Sequence, residues 1–317
     1  MAKYTLKRLL QSFFTIILVI SIVFLLLRMM PTEYYFTETE LTKLTEEQKA
    51  DRLEAAGLLD PPMEQLGRYL KGLLTEFDLG DSRRIQTGKP VAQLIGDKFP
   101  VSMRVGLVAL GISLVLGVVM GVIQARYKGG IFDNLGTAYT VLVNAVPALV
   151  LYSLILFFGA RIFGLPSLYS ARKPGPSMVL PIICLAVGST AGYMLWMRRY
   201  MVDELNKEYI RLAKLKGLST RTVMYRHVMK NAFVPLAQYL PYSILLTVGG
   251  SLLVERFFSV PGMGPLLTDA ITRYDLNVVV GVVFLYASLG IIGVFLGDVL
   301  MTLIDPRIRL NSKGASR

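Results

Sequence analysis

Residues 105–125 read VGLVALGISLVLGVVMGVIQA, a stretch of 21 residues without a single charge. As a helix rising 1.5 Å per residue it reaches about 30 Å, the thickness of a bilayer's hydrocarbon core. Working outward, five more uncharged runs follow the same rule: 10–27, 135–160, 178–197, 231–254 and 276–297. The six runs have 18 to 26 residues each. Buried helices of soluble proteins seldom go so far without a charge, so the expectation is an all-α polytopic membrane protein with six transmembrane helices. Composition agrees. Of the 317 residues, 53% are hydrophobic and only 18% charged, against roughly 25% charged in soluble domains, and mean hydropathy is +0.53.

The first run follows Lys3, Lys7 and Arg8 and so resembles a signal peptide. Its apolar length exceeds the usual 7–15 residues, and it ends in Arg28-Met29-Met30-Pro31 with no small-residue cleavage site. It is expected to be a retained helix. One cysteine and one histidine exclude a disulfide framework and a Cys/His zinc site. Cys184 reads as a small apolar residue in the fourth span, and His227 as a solvated residue between Arg226 and Lys230.

The chain is also basic, with 34 Lys+Arg against 22 Asp+Glu and a net charge of +12. Nucleic-acid binding fits the hydropathy badly, so no nucleic-acid partner is expected. Sorted by loop, the charges orient the protein. Segments 1–8, 125–134, 198–233 and 305–317 hold 18 basic and five acidic residues, whereas the long segment 31–97 holds eight basic and thirteen acidic. Positive loops stay inside, so both termini are expected to be cytoplasmic. The domain reading follows: tail and first helix, 1–30; an outer helical segment, 31–98; a five-helix core, 99–304; and a cytoplasmic tail, 305–317. In the outer segment, residues 45–56 read as a helix capped by Thr45, and 63–77 as an amphipathic helix with Leu66, Leu70 and Leu73 on one face.

Pro147 interrupts the third span close to Asn144, and Pro235 and Pro241 interrupt the beginning of the fifth. Proline frees a backbone carbonyl that needs a partner at membrane depth, which makes Asn144 and Pro147 candidate pathway residues. Gly106, Gly111, Gly117 and Gly121 suit close helix packing. Intramembrane ionisable groups are scarce. The one clear case is Asp298, read as a carboxylate near the inner interface rather than a proton relay. That scarcity weighs against an ion-coupled carrier. No nucleophile–base pair, metal-spaced cluster or G-x-x-x-x-G-K-[ST] phosphate loop occurs, so the chain is expected to be non-catalytic and to bind no nucleotide. A membrane scaffold is the third class consistent with the spans.

The longest inner segment, 198–233, has its own design. Residues 203–216 read as one helix capped by Asp203, with Leu205, Tyr209 and Leu212 as an apolar stripe and Ala213 beside it. Gly217 suits the left-handed position after a helix, Leu218 its hydrophobic contact, and Ser219 or Thr220 the cap of a second helix. A lipid-facing helix, a positive anchor and a docking knob all fit this pattern, and charge does not separate them.

The stretch 208–235, EYIRLAKLKGLSTRTVMYRHVMKNAFVP, resembles the coupling loop of ABC-transporter permeases. Ala213 and Gly217 match the last alanine and the glycine of its signature, while Arg211 and Leu212 depart from it. Asn231 and Pro235 resemble the branch importing peptides and nickel. So do Arg8 to Pro31, the outer Asp78-Leu79-Gly80-Asp81-Ser82, Pro90-Val91 and Pro100, the loop ERFFSVPGMG from Glu255 to Gly264, and Asp305-Pro306-Arg307-Ile308-Arg309. Their order over about 300 residues identifies the oligopeptide/dipeptide permease with the larger outer segment.

The resemblance implies an ABC type I importer permease fold in a bacterial or archaeal cytoplasmic membrane. It implies a second homologous permease, two ATPase subunits that bring ATP and Mg, an extracytoplasmic substrate-binding protein and surrounding lipid. This chain itself is expected to carry no cofactor. ATPase contact is expected at Tyr209, Arg211, Leu212, Ala213, Gly217, Leu218 and Arg221. The turn Pro261-Gly262-Met263-Gly264 is expected near the pathway mouth. Oligopeptides are the leading cargo, with dipeptides, nickel chelates and oligosaccharides as alternatives.

Overall fold

The computed structural model describes residues 2–36 and 38–304; the C-terminal motif 305–309 and the rest of the tail lie outside the described residues. Among the described residues the regular structure is helical apart from one isolated bridge between Asp81 and Pro90. The helices are α1 (Ala2–Arg28), α2 (Glu38–Lys43), α3 (Glu46–Ala55), α4 (Pro62–Glu76), α5 (Val91–Arg126), α6 (Ile131–Ala145) and α7 (Ala148–Phe163). They continue with α8 (Pro174–Leu205), α9 (Glu208–Leu215), α10 (Thr220–Thr222), α11 (Met229–Val248), α12 (Leu252–Phe257), α13 (Met263–Thr272) and α14 (Leu276–Ile304). A π-helical turn, Val223–Val228, joins α10 to α11.

By length and composition, five helical stretches can cross a bilayer: Leu6–Arg28, Val91–Arg126, Pro174–Leu205, Thr220–Phe257 and Leu276–Leu300. The third span, expected to be interrupted at Pro147, is two helices, α6 and α7, bent by 110° and together long enough for a sixth crossing. The cause is local. Val146 is extended (φ −79°, ψ 129°), as a residue before proline prefers, and Pro147 caps α7. Pro235 and Pro241, by contrast, sit inside the unbroken α11, and Pro100 inside α5, which starts well before the span it carries.

α5 and α8 form the main packed pair, with α11 against α14 and α1 on the outside of α14. Glycine makes the α5–α8 approach possible. A Cβ at Gly117 would lie 2.5 Å from that of Tyr193, and one at Gly121 would lie 2.7 Å from that of Met197. Gly111, expected to share this role, faces open space.

Thr45 caps α3 with a full capping box, its side chain accepting from the Gln48 N–H while Gln48 Oε1 accepts from the Thr45 N–H. Leu66 and Leu73 of α4 pack with Ile20, Phe24 and Val280, so the segment between α1 and α5 is seated on the ends of α1 and α14. A second anchor is the fully buried Asp275. Its Oδ2 accepts from Ser82 Oγ (2.6 Å) and from the backbone N–H groups of Arg83, Arg84 and Ile85 (3.1, 2.9 and 3.0 Å).

Candidate functional site

The loop 198–233 differs from its expected form in one respect. α8 continues to Leu205, so Asp203 is inside a helix and caps nothing. The reason is a buried face: Met194, Met197, Met201 and Glu204, spaced three and four residues apart, all point inward. The chain breaks at Asn206–Lys207 and restarts as α9. The face of α9 turned to the bundle carries Ile210 and Ala213, which pack with Val122, Ala125, Met197, Met201, Val223, Met224 and Val228.

The expected apolar stripe is therefore split. Ala213 is buried, whereas Leu212, Leu215 and Leu218 are exposed by 54%, 85% and 40%. Gly217 adopts φ +80° with nothing near its missing Cβ, and the Leu218 N–H donates to the Ala213 carbonyl at 3.3 Å. This is the left-handed helix ending that glycine permits. Ser219 then accepts from the Thr222 N–H. Tyr209, Arg211, Leu212, Gly217, Leu218 and Arg221 thus lie on one short helix–corner–helix unit, with Ala213 facing its rear.

A polar cluster absent from the sequence reading holds this unit. The Glu204 carboxylate, in a residue only 6% exposed, accepts from the Tyr209 hydroxyl and from Asn231 Nδ2 (3.0 Å), and pairs with Lys207 Nζ at 2.5 Å. Asn231 Nδ2 also donates to the Tyr209 hydroxyl at 2.8 Å. Burial, and the Glu204 carboxylate to which it donates, push the Tyr209 phenol up to about 12, so it is a donor at neutral pH. The cluster ties α8, α9 and α11 together. Its one sequence signal was an acid, Glu204, three residues before Lys207. Nearby, Asp133 at the start of α6 pairs with Arg198 of α8 (2.5 and 2.8 Å).

The other candidates sit apart. Asn144 donates to the Thr140 carbonyl at 2.7 Å, a contact within its own helix just before the Val146–Pro147 break. Pro261 centres a tight turn closed by the Gly262 N–H and the Val260 carbonyl at 2.8 Å. The next two N–H groups, of Met263 and Gly264, donate to Ser102 Oγ and Glu255 Oε2, both at 2.8 Å. Asp298 lies 3.2 Å from Arg8 across α1 and α14.

A cavity of about 760 Å³ opens among α5, α8, α11 and α14, lined by Tyr193, Trp196, Tyr200, Gln238, Tyr239 and Tyr242 among others. None of Asn144, Pro147 and Pro261 to Gly264 is among the described residues that line it.

The family model for the inner membrane component of binding-protein-dependent transport systems matches residues 114–310. The dipeptide transport system permease protein of Bacillus subtilis (strain 168) is 33% identical over 317 residues, covering 99% of this chain and 100% of that protein. The chain belongs to the ABC-importer permease family that includes the dipeptide and oligopeptide permeases. The dipeptide permease of Lactococcus lactis subsp. cremoris (strain MG1363) is 32% identical over 98% of this chain and 100% of its own length. The oligopeptide permease AmiC of Streptococcus pneumoniae serotype 4 is 36% identical over 66% of this chain and 42% of that protein.

Among solved structures, a chain of the MetNI methionine ABC transporter in inward-facing conformations aligns with TM-score 0.53 at 15% identity. The alignment covers 67% of this chain and 97% of that one. At that identity the likeness speaks for the fold alone. This family member is thus a membrane-integral, non-catalytic permease subunit, and its family works with ATPase subunits and a substrate-binding protein.

Proposed function

We propose that this permease is one half of the membrane channel of an ATP-driven peptide importer. A second, homologous permease forms the other half, and two ATPase subunits carry the ATP and Mg. Both termini and the loop 198–233 lie on the cytoplasmic side of a bacterial or archaeal membrane. The observation that carries the reading is the α9 unit. It is fixed from behind by Ile210, Ala213 and the Glu204 cluster, and it offers Leu212, Leu215 and Leu218 outward beside Arg211 and Arg221. Exposed leucines on a short, rigid, basic helix suit a protein partner better than water. ATP-driven closure of the ATPase pair would move this unit, and α8 and α11, joined to it through Glu204 and Asn231, would carry the shift into the membrane. The names of the related permeases support peptides as cargo. Oligopeptides are preferred, with dipeptides, nickel chelates and oligosaccharides as alternatives within the same branch.

The test is copurification of the assembled complex followed by uptake of tetra-alanine into proteoliposomes. Vanadate-sensitive, ATP-dependent uptake that needs the binding protein is expected. Uptake driven by a proton gradient without ATPase subunits would favour an ion-coupled carrier, and a deletion without any transport defect would favour a scaffold.

A further inference from the structure

The 760 Å³ cavity is within the size range of ligand sites, about 300–1,000 Å³. It runs from Ser189 to Tyr200 on α8 and from Pro235 to Thr247 on α11, a length of about 17 Å at the helical rise. Its lining is rich in aromatic and amide side chains. Trp196 stacks on Tyr200 with ring centroids 5.6 Å apart, Tyr239 and Tyr242 lie 5.5 Å apart, and the Tyr193 hydroxyl donates to Ser243 Oγ at 2.9 Å. Gln238 of α11 also lines the cavity. Tyr239 and Trp196 are exposed by 52% and 45%.

Phenol and amide groups turned toward lipid tails without partners cost several kcal/mol. An aromatic belt at the bilayer interface would explain tyrosines at one level facing lipid, but not a set that spans about 10 Å of α8, from Tyr193 to Tyr200, and turns into one hollow with Tyr239 and Tyr242 of α11. A flat helix of a second subunit would leave much of such a hollow empty, whereas an extended chain fills it. Charge is sparse among the described lining residues: Asp298 has Arg8 beside it, and the Arg199 guanidinium lies over one face of Trp196, 5.2 Å from the ring centroid.

From this geometry we infer that the cavity is the cargo-contact surface of this chain. Phenol and amide groups there would bind the backbone amides of a passing peptide, and ring faces would contact its side chains without regard to their charge. The inference rests on the peptide reading of the preceding subsection.

The experiment uses the complete complex in proteoliposomes, with Cys184→Ala as background and Tyr239→Cys or Trp196→Cys as single reporters. The probe is a membrane-impermeant, positively charged methanethiosulfonate reagent. Both positions are expected to react, and tetra-alanine during ATP turnover is expected to slow the reaction at least threefold. In parallel, Trp196→Ala combined with Tyr239→Ala should lower uptake of tetra-alanine, tetra-lysine and tetra-glutamate at least tenfold and to a similar extent. Copurification with the partner subunits reports assembly of this variant. A wild-type complex that imports no peptide overturns the peptide reading and this inference together. Peptide import with no labelling, or with labelling that peptide leaves unchanged, overturns the inference alone. A loss confined to one of the three peptides overturns the charge-indifferent contact.

Discussion

Replacing Glu204 by alanine should loosen the α9 unit without unfolding the bundle, and the size of the effect follows from the cluster. The carboxylate accepts from Tyr209 and Asn231 and pairs with Lys207. Hydrogen bonds to a charged group contribute about 1.5–3 kcal/mol each. The Tyr209–Asn231 contact at 2.8 Å survives the substitution, so Asn231 keeps one acceptor and the penalty falls chiefly on Tyr209. Lys207 is 57% exposed and contributes under about 1 kcal/mol. A loss of about 3 kcal/mol results, and since 1.4 kcal/mol is tenfold in an equilibrium, local opening of α9 rises about 100-fold. Hydrogen exchange at the α9 amides in the assembled complex reads this directly. Glu204→Gln retains an acceptor for Tyr209 but loses the charge, so its acceleration should be about tenfold. Uncoupled ATP hydrolysis should rise in the same order. Exchange in the alanine variant within twofold of wild type, or glutamine as disruptive as alanine, would refute the reasoning.

Gly217→Val forces a β-branched residue into φ +80°, at a cost of about 1–3 kcal/mol. Because the space around it is open, Gly217→Asn should be tolerated; ATP hydrolysed per peptide imported is expected to rise for valine and stay near wild type for asparagine. Gly121→Ala places a Cβ 2.7 Å from Met197 Cβ and 2.8 Å from the Met194 carbonyl, contacts the α5–α8 backbone cannot give way to cheaply. Thermal unfolding of the purified complex should shift down by the equivalent of about 1–3 kcal/mol, and an unchanged midpoint would contradict the close approach. Asp275→Ala strips the acceptor from Ser82 Oγ and three backbone N–H groups. Tryptic cleavage after Arg83 or Arg84 should then accelerate at least tenfold in intact complex, whereas equal rates would show that the outer loop is held elsewhere.

Much of this was legible from residues because the signals were local. An uncharged run announces a span, Thr45 announces a capped helix, and Gly217 followed by Leu218 and Ser219 announces a corner and a new cap. What escaped depends on direction or on distant partners. Pro147 announced the interruption of the third span, but hydropathy is the same for a straight and a bent run, so the 110° size of the turn was not legible. Nothing local marks Glu204 for burial; its carboxylate is enclosed by partners that include Asn231 of α11, 27 residues away. The end of α8 was misplaced because Asp203 has the chemistry of a cap, while the inward methionine face that keeps the helix going is visible only once α5 is packed against it. The cavity was invisible for the same reason, since its tyrosines lie on two helices that meet only in the fold.

The docking unit and the cavity share their framework, and this bears on how one would influence the other. Glu204 follows Tyr200 by about one helical turn on α8, and Asn231 precedes Pro235 by about one turn on α11. The two residues that grip α9 thus lie on the same helices whose next turns line the cavity. No chain of intermediate contacts is needed, because each helix moves as a stiff element. Proline also leaves α11 adaptable in this region: Pro235 and Pro241 each lack the N–H that would reach back to Asn231 and Ala237. A displacement of α9 can therefore enter α8 as tilt and α11 as bend. Unequal responses of the two walls change the width of the hollow between them, which is the differential contact that any ATP-driven change of access requires.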